Sequence, residues 1–341
     1  MNYQELLQQA RGQMGPYCKV CPVCNGKACG STIPGPGSKG TGGSAARNYE
    51  AWQKLHINMD TIAENRVPDT SFSFFGHKLK APVMAGPVGA VKLHYGDKMD
   101  DVEYNDTLVA GAAEAGILAF TGDGTNPEVM KAASLAIAAR GGFGVPTVKP
   151  WDPDTLKEKF ELVKNSGSIA VAMDIDAAGL PFLQNLDPPA GSKTTEELAA
   201  VIREAGKPFI VKGIMTVRGA EKAREAGASA IVVSNHGGRV LDQCPATAEV
   251  LPAIARAVGG DMMILVDGGI RTGVDVFKAL ALGADAVLIA RPYVTAVYGG
   301  GQEGVCVYTE KLREELADTM RMCGVGSLDE IGPDQIWTGD R

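Results

Sequence analysis

The chain lacks three features that would point to a membrane or a nucleic acid. No apolar run approaches the ~20 residues that span a bilayer, and the amino terminus, MNYQELLQQARGQMG, has no apolar segment typical of a secretory signal. An excess of positive charge is also missing, because 33 Lys and Arg stand against 40 Asp and Glu and give a net charge of −7. We therefore expect a cytoplasmic protein with no nucleic-acid or membrane partner.

Cysteine is sparse except in one segment, YCKVCPVCNGKACG, which contains four of the seven. The spacing C-x₂-C-x₂-C-x₄-C is dense enough to ligate zinc or an iron–sulfur cluster. Structural zinc sites commonly use two separated pairs of ligands, however, and the usual ferredoxin spacing is not reproduced. Thiol or redox chemistry and an inert loop are the alternatives. The candidate ligands are Cys18, Cys21, Cys24 and Cys29.

A stretch rich in Gly, Ser and Pro, GSTIPGPGSKGTGGSAAR, follows the cysteines and cannot form a regular element. We expect residues 1–47 to be a Cys-rich segment with a linker, and residues 48–341 to be one main domain. The length of 341 residues provides ample core for it.

From about residue 80 the chain contains eight short apolar runs. They are continuous rather than alternating, as in strands that are buried on both faces of a parallel sheet. Segments between them have helix caps, such as those that begin at Thr216 and Thr272. The alternation predicts an α/β fold, a (β/α)₈ barrel, with an open doubly wound sheet as the alternative. The runs are 81–86, 116–122, 141–146, 169–174, 208–213, 230–235, 262–267 and 286–291.

Polar residues end most of these runs, and in such barrels the chemistry lies at the carboxyl ends of the strands. The segments VDGGIRTG and IARP follow the seventh and eighth runs, where these barrels usually bind a phosphate. Two unrelated turns with surface arginines are the alternative. The residues in question are Pro87, Val88, Gly89, Thr121, Asp174, Lys212, Ser234, His236, Asp267, Gly268, Gly269, Arg271, Ala290 and Arg291.

Lys212 ends an almost wholly apolar strand, so its ammonium needs a partner. It either forms a structural ion pair with Asp174 or places its positive charge against an electron-rich ring. His236 and Arg239 are three residues apart in SNHGGRVLD, where one can take a proton while the other holds a carboxylate. Asp174 is a candidate to orient the imidazole.

Three strings carry a resemblance to a known family: SNHGGRVLD, LVDGGIRTGVDVFKALALGADAVLIARP and GVGSLDEIG. They closely resemble the FMN-dependent α-hydroxy acid oxidase/dehydrogenase family. The resemblance is specific over residues 208–332 and looser over residues 70–175, and residues 1–46 do not match.

The resemblance implies an FMN site and a role for each matching residue. Lys212 would face the flavin N1/O2 edge, His236 would be the base, and Arg239 would bind the substrate carboxylate. Asp174 would support His236. A homo-oligomer, a tetramer in related proteins, is also implied. Pro87, Val88, Gly89 and Thr121 would line the ring, whereas Ser234, Asp267, Gly268, Gly269, Ile270, Arg271, Ala290 and Arg291 would hold the ribityl and phosphate.

The chain departs from the family pattern in the substrate pocket. A tyrosine after strand three is absent, and DIDAAGLPFLQ after strand four lacks the second substrate arginine. Asp123 replaces an aromatic residue and adds a negative charge, and Tyr17 is the candidate for an amino-terminal tyrosine. We expect weaker binding of a small anion and a shorter lid.

The sequence therefore predicts an FMN-dependent oxidoreductase that converts a 2-hydroxy acid or a related alcohol into the 2-oxo product. Its partner would be a small molecule, a carboxylate by this interpretation. A redox-neutral FMN isomerase like type 2 isopentenyl diphosphate isomerase is one alternative. A flavin- or metal-binding protein without turnover of 2-hydroxy acids is the other.

Overall fold

The computed structural model describes residues 1–180, 183, 185–186, 190–337 and 339. Eight parallel strands close into a barrel, with each strand hydrogen-bonded to the next along the chain and the last to the first. The predicted (β/α)₈ barrel is confirmed. Its strands are β1 (Val83–Ala85), β2 (Leu118–Thr121), β3 (Val145–Val148), β4 (Val171–Asp174), β5 (Phe209–Ile214), β6 (Ala230–Val233), β7 (Met263–Val266) and β8 (Ala286–Ile289).

Side chains from alternate strand positions fill the interior of the barrel. Met84, Phe120, Ile210 and Leu288 are among them, and all are almost fully buried. Because the interior is packed with side chains and helices cover the outside, both faces of each strand are buried, which explains the continuous apolar runs. A hairpin of Phe72–Phe74 and His77–Leu79 adds its own apolar side chains to this interior cluster.

Helices surround the barrel, and the two predicted caps are present. Thr216 Oγ1 accepts the Gly219 N–H at 3.0 Å, and Thr272 Oγ1 accepts the Asp275 N–H at 3.2 Å. No helix in the described ranges is both long and apolar enough to cross a membrane. The helices are α1 (Tyr3–Arg11), α2 (Gly43–Gln53), α3 (Val91–Tyr95), α4 (Asp101–Ala115), α5 (Pro127–Ala138), α6 (Pro153–Asn165), α7 (Thr195–Ala205), α8 (Val217–Glu225), α9 (Thr247–Val258), α10 (Gly273–Ala281) and α11 (Arg291–Met322).

The third strand differs from its predicted position. The sequence placed it at residues 141–146, but it spans Val145–Val148. Gly141 and Gly142 adopt left-handed conformations, with φ of 64° and 83°, which end the preceding helix rather than begin a strand. The strand therefore ends directly before Lys149.

The amino-terminal part of the chain packs onto the mouth of the barrel. The side-chain amides of Asn48 in α2 and Asn235 after β6 exchange two hydrogen bonds, at 2.7 and 2.9 Å. Trp52 Nε1 donates to the Gly268 carbonyl at 2.8 Å, and the indole is fully buried. Helix α2 is thus fixed to the loops after β6 and β7.

The remaining elements are a short pair of strands, His56–Ile57 with Ile336–Trp337, and 3₁₀ turns at Ile175–Gly179, His236–Gly238, Leu328–Glu330 and Pro333–Gln335.

We expect the Trp52→Ala variant to lose about 3–5 kcal/mol of unfolding free energy, because a large buried side chain is replaced by a cavity. Trp337→Ala is the matched control, since Trp337 is 55% exposed and its loss should cost about 1 kcal/mol or less. Chemical denaturation of both variants measures the difference. Equal losses would contradict the role of α2 in fixing the mouth.

Candidate active site

The carboxyl ends of the strands surround a cavity of about 740 Å³. Its size is in the range of small-molecule and cofactor sites. Residues from the ends of β1, β4, β5, β6, β7 and β8 line it, so most of the predicted site residues share one cavity. They are Pro87, Val88, Gly89, Asp174, Lys212, His236, Arg239, Asp267, Gly268, Gly269, Arg271, Ala290 and Arg291.

Three predicted cofactor residues are not among those that line the cavity. Ser234 is fully buried, and its hydroxyl accepts the backbone N–H of His236 at 3.1 Å. The side chain of Ile270 belongs to the hydrophobic core. Thr121 is buried at the end of β2, and its hydroxyl has no hydrogen-bond partner among the residues that the structure describes.

A buried network of charges lies at the ends of β3, β4 and β5. Asp174 and Lys212 are direct neighbours in the register of β4 and β5. Lys212 Nζ lies 3.2 Å from Asp174 Oδ1, and Lys149 Nζ lies 2.7 Å from Asp174 Oδ2. Asp267 extends the network, with Oδ2 at 3.7 Å from Lys212 Nζ. The ion pair between Lys212 and Asp174 exists, and both residues also line the cavity.

The ion pairs outweigh the effect of burial on these groups. Burial raises the pKa of Asp174, but the ammonium groups of Lys149 and Lys212 hold it well below its usual range. Burial lowers the pKa of Lys212, but the carboxylates of Asp174, Asp176 and Asp267 hold it above its ordinary value. Lys212 is therefore a permanent cation beneath the cavity.

His236 pairs with Asp176 rather than with the predicted Asp174. Its Nδ1 lies 3.0 Å from Asp176 Oδ1, whereas the carboxylate of Asp174 is held by two lysines. Asp176 lies in the 3₁₀ turn after β4. Its side chain packs against Gly213, where a Cβ on residue 213 would come within 2.5 Å of it. A left-handed backbone at His236, with φ of 55°, turns the imidazole toward the mouth.

A metal ion is a second interpretation of the same three side chains. Ligand atoms of Asp174, Asp176 and His236 all lie within 4.8 Å of one another. Lys149 and Lys212, however, already neutralise Asp174 at 2.7 and 3.2 Å. A divalent cation would meet two ammonium groups there, so the geometry favours an acid–base pair.

Arg239 faces the cavity but is partly engaged by the amino-terminal segment. Its Nη1 donates to the carbonyls of Gly35 and Gly37, both at 2.8 Å. Its Nη2 lies 3.3 Å from a ring nitrogen of His94. Burial, followed by the charge of Arg239, lowers the pKa of His94 to about 4, so this imidazole is neutral near pH 7.

The predicted extra negative charge of Asp123 is neutralised inside the protein. Its carboxylate accepts from Lys159 Nζ at 2.8 Å and from Trp151 Nε1 at 2.6 Å. The Lys149 backbone N–H adds a third bond at 3.2 Å. Since Lys159 balances the charge, Asp123 does not present a net negative charge to a substrate.

The residues predicted to bind a phosphate at the ends of β7 and β8 lie together in the cavity. Gly268 and Gly269 have φ of 88° and 87°, which favours glycine, and a Cβ at Gly269 would come within 2.4 Å of the Asn48 carbonyl oxygen in α2. Arg291 Nη2 donates to the Gly237 carbonyl at 3.0 Å, and a Cβ at Gly237 would come within 2.7 Å of that nitrogen. Arg271 is more constrained, because its Nε donates to the Cys24 carbonyl at 2.7 Å.

The cavity fits FMN in size, charge and unpaired polar groups. Two arginines and the glycine pair Gly268–Gly269 line the cavity, a combination that suits a phosphate. Within the described part of the chain, Oδ1 of Asp267 has no hydrogen-bond partner and can accept from a ribityl hydroxyl. Lys212 supplies a buried cation for the ring.

The four clustered cysteines line a second cavity of about 280 Å³. It shares Tyr95, Arg271 and Arg291 with the larger cavity. All four thiols are free and partly buried. The described residues include no set of three cysteines whose sulfurs all lie within 4.8 Å of one another.

Three residues of the site were missed in the sequence. Lys149 is buried and lines the cavity, but the third strand was placed too early for its end to be inspected. Asp176 was overlooked because Asp174 is closer to the apolar run. His94 has no motif around it, and only its position on α3, after β1, points to the mouth.

Comparisons with known proteins agree with the geometry. The model of the FMN-dependent dehydrogenase family matches residues 36–184 and 184–338. An L-lactate oxidase of Lactobacillus jensenii is 31% identical over 315 residues, which cover 83% of this chain and 75% of that protein. A peroxisomal (S)-2-hydroxyacid oxidase of Arabidopsis thaliana is 30% identical over 332 residues, with 85% and 87% covered.

A solved structure of mandelate oxidase superposes with a TM-score of 0.79 at 27% identity, and the superposition covers 98% of this chain and 97% of that one. Family model, relatives and structure thus agree over nearly the whole chain. The chain belongs to the FMN-dependent dehydrogenase family, whose members are oxidoreductases that act on CH–OH groups.

Proposed function

We propose that this protein oxidises a small 2-hydroxy acid to the 2-oxo acid with FMN as its cofactor. The observation that carries the proposal is the convergence of an Asp176–His236 pair, Lys212 and Arg239 on one cavity. Lactate, hydroxyacid and mandelate oxidases among its relatives support this substrate class.

When bound in this cavity, FMN would supply the two-electron acceptor for the α-hydrogen of the substrate. Lys212 would lie against the ring and offset negative charge on it, and Asp174 would keep that cation in place. Lys212 is held by carboxylates on two sides, so its position is fixed before any ligand binds. Pro87, Val88 and Gly89 would line the ring, Asp267 would serve the ribityl chain, and Gly268, Gly269, Arg271, Ala290 and Arg291 would form the phosphate end. Thr121, Ser234 and Ile270 do not line the cavity.

His236 would take the proton of the substrate hydroxyl. Since its Nδ1 faces Asp176, Nε2 is the nitrogen left for the substrate. Asp176 would fix the orientation of the ring and stabilise the imidazolium that forms. This is the arrangement of a general base with a carboxylate partner.

Two cations would hold the substrate carboxylate. Arg239 keeps Nε and part of Nη2 free of the amino-terminal segment, although Nη1 is engaged. Lys149 contributes a second positive charge to the same cavity. It would take over part of the work of the arginine that is absent after β4, so a small carboxylate still meets two cations.

The homo-oligomer and the cytoplasmic location stay predictions. The first is supported by the family resemblance and the second by the composition of the chain.

We expect His236→Asn to slow anaerobic bleaching of the bound flavin by 2-hydroxy acids by about 10²–10⁴-fold, because the base is removed. FMN content should stay unchanged, as measured by absorbance. His77→Asn is the matched control, since His77 is exposed on the hairpin outside the cavity. Bleaching of the His236 variant at the rate of the unaltered protein would refute the assignment.

Asp176→Asn and Asp174→Asn should fail in different ways. The first removes the carboxylate that stabilises imidazolium, so bleaching should slow by roughly two orders of magnitude or more. The second leaves two buried lysines without their shared counter-charge, so about 3–5 kcal/mol of stability should be lost. Bleaching at the normal rate by Asp176→Asn together with slow bleaching by a folded Asp174→Asn would show that Asp174 is the partner of His236.

Lys149→Met should raise KM for a 2-hydroxy acid by roughly 10–100-fold, because one charge-assisted hydrogen bond to the carboxylate is lost. The methyl ester of the same acid should be affected much less. Lys157→Met, at an exposed position of α6, controls for loss of a lysine elsewhere. Equal losses for acid and ester would mean that Lys149 does not bind the carboxylate.

A further inference from the structure

The Cys-rich segment is built as a separate site beside the cofactor cavity. Four thiols from twelve consecutive residues line one cavity of about 280 Å³. The other three cysteines, at 244, 306 and 323, do not line it. The segment turns through positive φ at Val20, Gly26 and Gly30, of 45°, 80° and 41°. A β-branched residue in this conformation is costly, and such strain concentrates at functional sites.

The thiols have the chemistry of a soft-metal site. All four cysteine thiols are free and line one cavity, and thiolates are the usual ligands of zinc and of iron–sulfur clusters. A metal ion displaces the thiol protons when it binds. Asp275, the acidic residue lining this cavity, accepts the backbone N–H groups of Arg271 and Thr272 at 3.0 and 3.2 Å instead.

Cations lie around the thiols and would offset the charge of four thiolates. Arg271 binds the Cys24 carbonyl through Nε at 2.7 Å, and Arg11 binds the Val20 carbonyl at 3.1 Å. Lys311 also lines the cavity. The surroundings therefore favour an anionic group in this cavity.

The four sulfurs are spaced more widely than the ligands of a tetrahedral zinc site. Zinc at about 2.3 Å from four sulfurs draws them to roughly 3.8 Å from one another. In the described ranges no three cysteine sulfurs are all within 4.8 Å of each other, and an open cavity lies between them. An iron–sulfur cluster needs such a space, because its thiolates bind separate iron atoms.

We infer that Cys18, Cys21, Cys24 and Cys29 hold an iron–sulfur cluster that takes electrons from the flavin. The two cavities share the walls Tyr95, Arg271 and Arg291, and the four cysteines are partly exposed. The cluster would therefore adjoin the cofactor cavity and stay partly accessible to an external acceptor.

The electron route rests on the proposed function and balances with an external one-electron acceptor. Oxidation of one 2-hydroxy acid to its 2-oxo acid releases two electrons and two protons. The cluster passes the electrons one at a time, so two equivalents of acceptor are reduced and both protons go to solvent. The acceptor is a one-electron carrier rather than a two-electron oxidant.

The first test is metal content of the full chain, purified without air and reconstituted with ferrous iron and sulfide. We expect iron and acid-labile sulfide in equal amounts, about two or four of each per chain, and a visible band in addition to the flavin. Cys21→Ala/Cys24→Ala should lose both while it keeps FMN, and Cys306→Ala/Cys323→Ala should keep both. Zinc without iron, no metal, or equal iron in the two variants would overturn the inference.

The second test follows the electrons by electron paramagnetic resonance. A 2-hydroxy acid added without air should bleach the flavin and produce the signal of a reduced cluster. His236→Asn should give this signal with dithionite but not with the substrate. Bleaching without a cluster signal would overturn the electron route. A cluster that is present in a protein whose flavin no 2-hydroxy acid bleaches would refute the proposed function and leave the cluster site standing.

Discussion

The site depends on the need to pair buried charge at the ends of β3, β4 and β5. Asp174 and Lys212 are register neighbours on adjacent strands, so the sheet itself brings opposite charges together. An unpaired ammonium or carboxylate buried there would be strongly destabilising, and each charge offsets the desolvation cost of the other. Lys149 completes the balance from β3. The network keeps a cation directly beneath the cavity, and the other site residues are arranged around it.

The amino-terminal segment is a structural part of this mouth. Asn48 binds Asn235 one residue before His236, and the carbonyls of Gly35 and Gly37 hold one edge of Arg239. The segment therefore sets the positions of the two residues proposed to act on substrate. It also lines the cavity, through Ser31, Ile33 and Ser38. The predicted shorter lid after β4 includes residues 181, 182 and 184, which lie outside the described residues.

The sequence was sufficient for the barrel and for most of the residues around the cavity, because continuous apolar runs and the polar residues that follow them are local signals. It failed where the outcome depends on long-range contacts. Gly141 and Gly142 were assigned to the third strand but end the preceding helix. The strand was therefore placed too early, and Lys149 was not recognised as the residue after its end. From the sequence, Asp174 and Asp176 are equally plausible partners for His236. Only the structure shows that Lys149 and Lys212 pair with Asp174. No hydrophobic periodicity in residues 1–47 predicts that they pack onto the barrel.

Arg271 links the two cavities and limits what each can be. Its guanidinium is held by the carbonyls of Cys24 and Ile270, at 2.7 and 2.6 Å, so only its remaining donors can reach a phosphate. In the proposed FMN site more of the phosphate charge would then fall to Arg291 and to the backbone at Gly268 and Gly269. A shift of the Cys24 backbone would in turn move Arg271, since the Cys24 carbonyl holds that side chain. The proposed phosphate site and the backbone of the Cys-rich segment are thus linked through one residue.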